Sequence, residues 1–392
     1  MENLYFMNIL FLTSEYVSPH KGGVERVTFL LHNQFLERGI NSYIISLREG
    51  DYDTYFVQNH FVLPKSNSIE YLNDFIKVNM IDIIINQSHQ VSALNNCSIL
   101  KNTFDCKVIS VLHTAPKAIL INICDALAPI LLQQLSVNKV IALLSWIIRY
   151  PYRYFSRNKY LKQKLCRYFD GSDVVVLLSE RYKSEYMKII DCDSDNKIYC
   201  IPNPIYIVDN YLTPKKKQIL FVGRMIFSAK RPDRMIKIWE KIFPYFPDWE
   251  LYMLGDGPDK NKFEDYCRRN NIKNIFFTGN VNPDTYYQSA SILCMSSSCE
   301  GFGMVLVEAL KYKCIPIAYN SFAALSDIII DDVNGYAIPP FKEKLFIEKL
   351  HYLMSNENER NRLASNNTIT LNKFDINKVS QQWMDLFNNL LN

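Results

Sequence analysis

Two carboxylates and two glycines fall within one short phrase of the chain, Ser298-Cys299-Glu300-Gly301-Phe302-Gly303-Met304-Val305-Leu306-Val307-Glu308-Ala309, directly after the apolar run Ser291 to Met295. Glycines at 301 and 303 let the backbone come close to a ligand. A helix opening near Gly303 points unpaired N–H groups and the positive end of its dipole at an anion, and a diphosphate suits that geometry. Glu308 lies more than a turn into the same helix, where a carboxylate can accept both hydroxyls of a ribose. Glu300, in the loop, is free to reach a sugar. Taken singly, Glu308 reads as a solvated helix residue and Glu300 as a loop charge; taken as one phrase they read as a site.

Cations stand elsewhere in the same half of the chain. Arg224 follows the apolar run Gln218 to Val222, and Lys230 comes six positions later, with Arg231 as a competitor for the same role. Charge developing on a phosphate must be neutralised, and two fixed cations can do this in place of a metal ion. In the first half, Gly22 and Gly23 stand at the start of a helix that follows the first strand, a second ready anion site. His113 comes immediately after the strand Lys107 to Leu112, and His89 is its rival.

The elements that must position these residues alternate between short apolar runs and amphipathic segments, the signature of parallel sheets covered by helices. Strands are expected at Asn8 to Thr13, Ser42 to Leu47, Ile81 to Asn86, Lys107 to Leu112 and Asp173 to Leu178. A helix is expected at Val24 to Arg38, where Val24, Val27, Leu31 and Phe35 recur at helical spacing after the turn Lys21-Gly22-Gly23. Ile201-Pro202-Asn203-Pro204 is a rigid punctuation that suits a boundary. Beyond it strands are expected at Gln218 to Val222, Glu250 to Leu254, Ile275 to Thr278, Ser291 to Met295 and Ile315 to Ala318. Helices fall between them at Arg231 to Phe243, Asp259 to Asn270 and Gly303 to Tyr312. The fold class is therefore α/β, with two Rossmann-like doubly wound domains facing across a cleft, and ligands expected at the carboxyl ends of the strands. The domains are expected at 7–204 and 205–373, with the amphipathic segment 374–392 packing back on the first. Residues 1–6 (MENLYF) look like the remnant of a cleavable tag, which puts the natural start at Met7.

This set of residues resembles the retaining glycosyltransferases of family 4, of GT-B architecture, whose hallmark is two glutamates separated by seven residues. Glu300 and Glu308 match that spacing. Phe221-Val222-Gly223-Arg224, Gly255-Asp256-Gly257-Pro258 and Phe277-Thr278-Gly279 are also similar to phrases of the family. In the first half the resemblance is limited to the glycine turn, one His and Leu178-Ser179-Glu180. It implies that Arg224 and Lys230 hold the leaving diphosphate, although the family loop is commonly one residue shorter, and that Glu300 positions the transferred sugar. It implies that His113 bonds that sugar and that Gly22 and Gly23 contact donor phosphate or acceptor. The expected catalytic set is Glu300, Arg224, Lys230 and His113. The expected donor-binding set is Gly22, Gly23, Gly301, Phe302, Gly303, Glu308, Gly255 and Gly279. The implied reaction moves a hexose from a nucleoside diphosphate, with UDP expected, to a saccharide acceptor held by the first domain, with retention at the anomeric carbon and no metal or other cofactor. A retaining hydrolase would place two carboxylates about 5 Å apart around the bond, and only Glu300 is assigned near the sugar. A sugar-nucleotide epimerase, a phosphorylase and a catalytically degenerate membrane-associated binding protein of the same fold are the alternatives.

Other patterns fail. Gly255-Asp256-Gly257 has Lys260 where a dinucleotide fingerprint needs its third Gly. Asp191-Cys192-Asp193-Ser194-Asp195 lacks the Gly and the bidentate Glu of a calcium loop, and reads as solvated. In 392 residues the ten cysteines show no paired metal spacing and read as reduced, mostly buried thiols of a cytosolic protein. The net charge of +4 is too small to argue for nucleic acid. From Ala126 to Phe169, however, there is no acid, while Lys139, Arg149, Arg153, Arg157, Lys159, Lys162, Lys164 and Arg167 are interleaved with Trp146, Tyr150, Tyr152, Tyr154, Phe155, Tyr160 and Tyr168. An ordinary basic helix pair is one reading. The other is contact with an anionic membrane through 139–168, at about 1 kcal/mol per cation. The apolar stretches around Ala118 to Leu135 and Val140 to Ile148 are too short and too interrupted to span a bilayer. A lipid-linked acceptor and a peripheral site on the cytoplasmic face of the cell membrane are then expected, in lipopolysaccharide or capsule synthesis by resemblance.

Overall fold

The computed structural model describes residues 7–19, 22–48, 57–64, 66–88, 104–125, 137–207 and 213–392. The tag-like residues 1–6, Lys21 and His89 lie outside them. The chain divides into two compact units, one of Met1–Pro116, Tyr160–Tyr206 and Lys373–Asn392, the other of Lys117–Lys159 and Ile207–Asn372.

The first unit is built on β1 Asn8–Thr13, β2 Asn41–Ser46, β3 His60–Val62, β4 Ile83–Asn86, β5 Lys107–Leu112, β6 Val174–Leu177 and β7 Ile198–Cys200, all parallel, in the order β3-β2-β1-β4-β5-β6-β7. Leu10 of β1 stands opposite Tyr43 on one side and Ile84 on the other. A parallel sheet is covered on both faces, so its inner strands are apolar throughout; every residue of β1 is buried. The helices that accompany these strands are α1 Gly23–Glu37, α2 Ser68–Val78 and α5 Lys183–Ile190; between β5 and β6 the chain also forms α3 Ala118–Asp125 and α4 Val137–Asp170, of which only the part of α4 from Tyr160 onward falls in the first unit. On α1, Val27, Leu31 and Phe35 face the sheet, and Phe35 meets Phe387 edge-on at 5.5 Å. His32 of α1 is buried, its Nε2–H donating to the Gln58 carbonyl and its Nδ1 accepting from the Ser42 hydroxyl, each at 2.8 Å. Burial lowers its pKa to about 4.

The second unit has β8 Lys216–Val222, β9 Glu250–Leu254, β10 Ile275–Gly279, β11 Ala290–Met295, β12 Ile315–Tyr319 and β13 Tyr336–Ile338, again all parallel, in the order β10-β9-β8-β11-β12-β13. Its helices are α6 Pro232–Ile242, α7 Lys260–Arg269, α8 Asp284–Ser289, α9 Met304–Lys311, α10 Leu325–Ile328, α11 Glu343–Ser355, α12 Glu357–Ser365 and α13 Thr368–Leu371. Pro232 at the first position of α6 presets the helical φ at no cost in hydrogen bonds. Ile238 and Trp239 of α6 and Phe346 and Leu350 of α11 pack with Phe221, Met253, Ile292 and Ile317 of the sheet. Truncating any one of these aliphatic side chains to Ala would cost about 2–5 kcal/mol.

The last helix, α14 Ile376–Leu391, begins at Asp375, whose carboxylate accepts the Asn377 amide at 2.9 Å. It packs on α1, where Arg38 donates to Gln381 Oε1 and the Asn377 carbonyl, both at 2.9 Å. One division differs from the sequence reading. Residues 117–159 group with the second unit although they precede the Pro-rich punctuation. Helical periodicity tells which face of a segment is apolar but not which sheet it joins. Only at Leu161, Leu165 and Tyr168 does α4 bury side chains. Asp191 and Asp195, in the rejected calcium-like loop, are exposed and pair with Lys162 and Lys183.

Candidate active site

In both sheets the strand order reverses direction next to the first strand of the unit, between β1 and β4 and between β8 and β11. Such a switch point leaves a crevice at the carboxyl ends of the two strands, because their following segments turn to opposite faces. In the second unit those segments are 223–231, after β8, and 296–303, after β11. They hold Arg224, Lys230, Glu300, Gly301, Phe302 and Gly303 between them.

Backbone contacts fix the two loops to each other. The Ser298 amide donates to the Ala229 carbonyl at 2.6 Å, and Ser296 Oγ donates to the Arg231 carbonyl at 2.8 Å. Ala229 and Arg231 both sit at left-handed φ, 54° and 53°, a conformation that disfavours side chains and persists where surrounding contacts enforce it. A third loop supports the first from below, with the Met225 amide donating to the Asp256 carbonyl at 2.9 Å. The contact is so close that a Cβ on Gly255, at φ 128°, would stand 2.1 Å from the Gly223 carbonyl oxygen. The Gly255 amide in turn donates to the Gly279 carbonyl at 2.8 Å. The structure thus places Gly255 and Gly279 where they hold the loops together.

Lys230 and Glu300 meet. The Lys230 ammonium donates to both Glu300 oxygens, at 2.7 and 2.9 Å, and Ser297 Oγ donates to Glu300 Oε1 at 2.6 Å. Their side chains are 27% and 12% exposed, so Glu300 is not a solvated loop charge. Arg231 turns elsewhere, forking onto both oxygens of Asp233 at 2.9 and 2.8 Å. Of the two cations the sequence left in competition, Lys230 is therefore the one joined to the acid. Arg224 is exposed, and among the described residues its guanidinium makes no hydrogen bond or ion pair.

Gly303, at φ 92°, is the residue before α9, and a Cβ there would press on Phe322 at 3.1 Å. The helix starts at Met304, so its first amides lie at the loop that carries Glu300, as free helix ends do. Phe302 is buried and Gly301 half-buried. Glu308 is only 5% exposed and accepts from the Tyr287 hydroxyl at 3.1 Å, which rules out a solvated helix residue.

In the first unit, β1 leads to Gly22 and Gly23, both exposed, at the start of α1. A Cβ on Gly23 would meet nothing within 4 Å. After β5, His113 is half-buried, and its Nε2–H donates to Gln87 Oε1. Gln87, the residue after β4, is 1% exposed, and among the described residues its buried Nε2 has no partner. A carbonyl acceptor at Nε2 puts the proton of a neutral His113 there and leaves the lone pair on Nδ1. The surroundings are polar: the Tyr168 hydroxyl donates to the Ser88 carbonyl at 2.8 Å, and Ser14 and Ser88 hydroxyls touch. Sequence reasoning did not find Gln87. Its signal was position alone, the first residue past a strand that borders the switch point.

Two doubly wound parallel-sheet units, one with a cation–carboxylate pair at its switch point, define the class of protein to which this geometry belongs. Comparison with known proteins agrees. A family model described as glycosyl transferases group 1 matches residues 206–369, within the second unit but for one residue. An uncharacterized glycosyltransferase of Haemophilus influenzae is 26% identical over 234 residues, 57% of this chain and 62% of that protein. A Campylobacter jejuni GalNAc-alpha-(1->4)-GalNAc-alpha-(1->3)-diNAcBac-PP-undecaprenol alpha-1,4-N-acetyl-D-galactosaminyltransferase is 24% identical over 242 residues, 59% of this chain and 66% of that protein. The chain thus spans under two thirds of the length of these curated relatives. The crystal structure of Anabaena Alr3699/HepE in complex with UDP and glucose superposes with a TM-score of 0.72 at 15% identity, covering 98% of this chain and 100% of that one. That likeness is one of fold, the GT-B architecture.

Proposed function

We propose that this chain is a retaining glycosyltransferase that moves a hexose from a nucleoside diphosphate, UDP in our reading, to a lipid-linked saccharide acceptor at the inner face of the cell membrane. The product class is bacterial cell-surface polysaccharide. The single observation that carries the proposal is the Lys230–Glu300 pair at the switch point of the unit that matches the group 1 model. UDP is favoured because the HepE structure contains it, and a lipid-linked acceptor because the Campylobacter relative is named for one.

In the proposed mechanism Lys230 keeps two N–H groups on Glu300 and has a third for a phosphate oxygen. Arg224, exposed on the same loop, supplies the second cation. The bond from the anomeric carbon to the phosphate oxygen breaks as the acceptor oxygen bonds the same face of that carbon, and the departing phosphate takes the acceptor proton. The two cations stabilise the charge on the diphosphate, Lys230 from a fixed position and Arg224 on engaging the ligand, and no metal is required. Glu300, held by Lys230 and Ser297, accepts hydrogen bonds from the sugar; Glu308 accepts from the ribose; His113 takes the sugar-bonding role that the family resemblance implies.

Screening nucleotide sugars for release of free nucleoside diphosphate, with membrane extract as acceptor and with excess chelator, tests this. Acceptor-dependent release from a UDP-hexose, undiminished by chelator, is expected. Turnover of the sugar nucleotide without any acceptor would favour an epimerase, and absence of turnover with every donor would leave a binding protein.

A further inference from the structure

The first part of α4 turns large apolar side chains outward. Val137 is 75% exposed, Ile141 58%, Leu144 54%, Ile148 78%, Tyr152 79% and Phe155 78%. Their spacings of three and four put them on one face of the helix, and a contiguous exposed apolar stripe marks a surface that is covered in use.

Polarity also changes along the helix axis. Between Val137 and Ile148 the one charged residue is Lys139; then Arg149, Arg153, Arg157 and Lys159 alternate with tyrosines, and no acid occurs before Asp170. Apolar first, then aromatic and basic, then packed against protein: this is the order of a bilayer leaflet read from its hydrocarbon through its headgroups to water. The apolar part is about 18 Å long at 1.5 Å per residue, against about 15 Å for one leaflet's share of the hydrocarbon. It can enter one leaflet but not cross two, and among the described residues no helix is long and apolar enough to cross a membrane. Pro151 stands at the change of character. Lacking an N–H, it cannot donate to the Ile147 carbonyl, and that carbonyl is tolerated at the headgroup level, where water or a headgroup can donate to it.

We propose that the segment 137–160 is a one-leaflet anchor, its apolar tip entering the acyl region and its Arg-Tyr part gripping anionic headgroups. A second copy of the chain would be a poor occupant, because it would bring two acid-free basic segments together. The proposal deepens the membrane-surface part of the reading above by naming the segment, its depth and its lipid class. It also relocates the contact: the sequence suggested 139–168, but Leu161, Leu165 and Tyr168 are buried.

One fluorophore reports on the tip. Of the four tryptophans, Trp239, Trp249 and Trp383 are 0%, 1% and 2% exposed, which leaves Trp146 on α4. The full chain is mixed with phosphatidylcholine vesicles carrying brominated acyl chains, with or without phosphatidylglycerol. Quenching of Trp146 with the anionic vesicles is expected, as is at least about tenfold weaker vesicle binding by Leu144→Ser/Ile148→Ser with an unchanged thermal melt. Arg149→Gln/Arg153→Gln/Arg157→Gln should lose the preference for anionic vesicles. No quenching with either vesicle overturns the anchor, and equal quenching with both overturns the lipid class. Dimerisation without vesicles that the serine variant abolishes overturns the choice of occupant. Donor turnover in detergent, followed separately, is expected to be unchanged in these variants. Lost vesicle binding with intact turnover by the wild-type chain sinks the anchor alone, and the converse sinks the enzymatic reading alone.

Discussion

Replacing Lys230 with Ala removes a cation whose ammonium stands 2.7 and 2.9 Å from the two oxygens of Glu300. Breaking a fully buried ion pair costs about 3–5 kcal/mol. Here the Lys230 side chain is 27% exposed, so water enters the space it leaves and the cost is discounted to about 1–2 kcal/mol. In a unit of this size that lowers the melting temperature by a few degrees. Loss of one fixed donor to a developing phosphate charge costs more, about 2.7–4 kcal/mol, or a hundred- to a thousandfold in turnover. Arg231→Ala should show the opposite balance. It strips the fork from Asp233, which is 4% exposed, and so should depress the melt more than the turnover of the folded fraction. Both variants are measured by nucleoside diphosphate release and thermal melting on the same preparation. The reasoning is refuted by a well-folded Lys230→Ala chain that turns over at the wild-type rate, or by a native-like melt with collapsed turnover in Arg231→Ala.

Three further outcomes are expected. Gly23→Ala should melt like the wild type, since its Cβ meets nothing within 4 Å, yet slow transfer about tenfold if a ligand approaches this turn; Gly255→Ala, 2.1 Å from a carbonyl oxygen, should fail to accumulate as folded protein. Gln87→Leu removes the acceptor that fixes the His113 tautomer and should lower turnover, whereas Gln87→Glu, by favouring the imidazolium, should move the pH–rate profile to higher pH; an unmoved profile removes Gln87 from the site. His32, with its pKa lowered from 6.5 to about 4, binds its proton in the unfolded chain before the folded one does. Stability should therefore be full above pH 6.5 and decline as pH falls toward 4, by on the order of 3 kcal/mol, and a His32→Gln melt series should show a shallower acid slope.

The strands that carry the site were legible because parallel strands buried on both faces are unbroken apolar runs: β1, β5 and β9 begin and end where the runs do. Three strands were not, β3, β7 and β13, each of three residues at a sheet end or near it, too short to show a period. The meeting of Lys230 with Glu300 followed from two motifs placed after neighbouring strands, but the diversion of Arg231 did not. It depends on Arg231 taking left-handed φ at the start of α6, which brings Asp233 within reach of its guanidinium. Gln87 escaped for a different reason. Its role comes from the spatial neighbour that β5 brings to β4, and one-dimensional spacing does not contain that pairing.

The return of α14 to the unit that holds β1 has a consequence for biosynthesis. Phe35 of that unit stands against Phe387, and the Ile205 carbonyl accepts the Ile376 amide at 3.0 Å, so part of its covering is made only after the second unit. On the ribosome this unit waits, incompletely sheathed, until α14 has been translated. A protein clipped within α14 would lose cover from a sheet several hundred residues upstream, and the damage would appear as aggregation of the unit that holds β1.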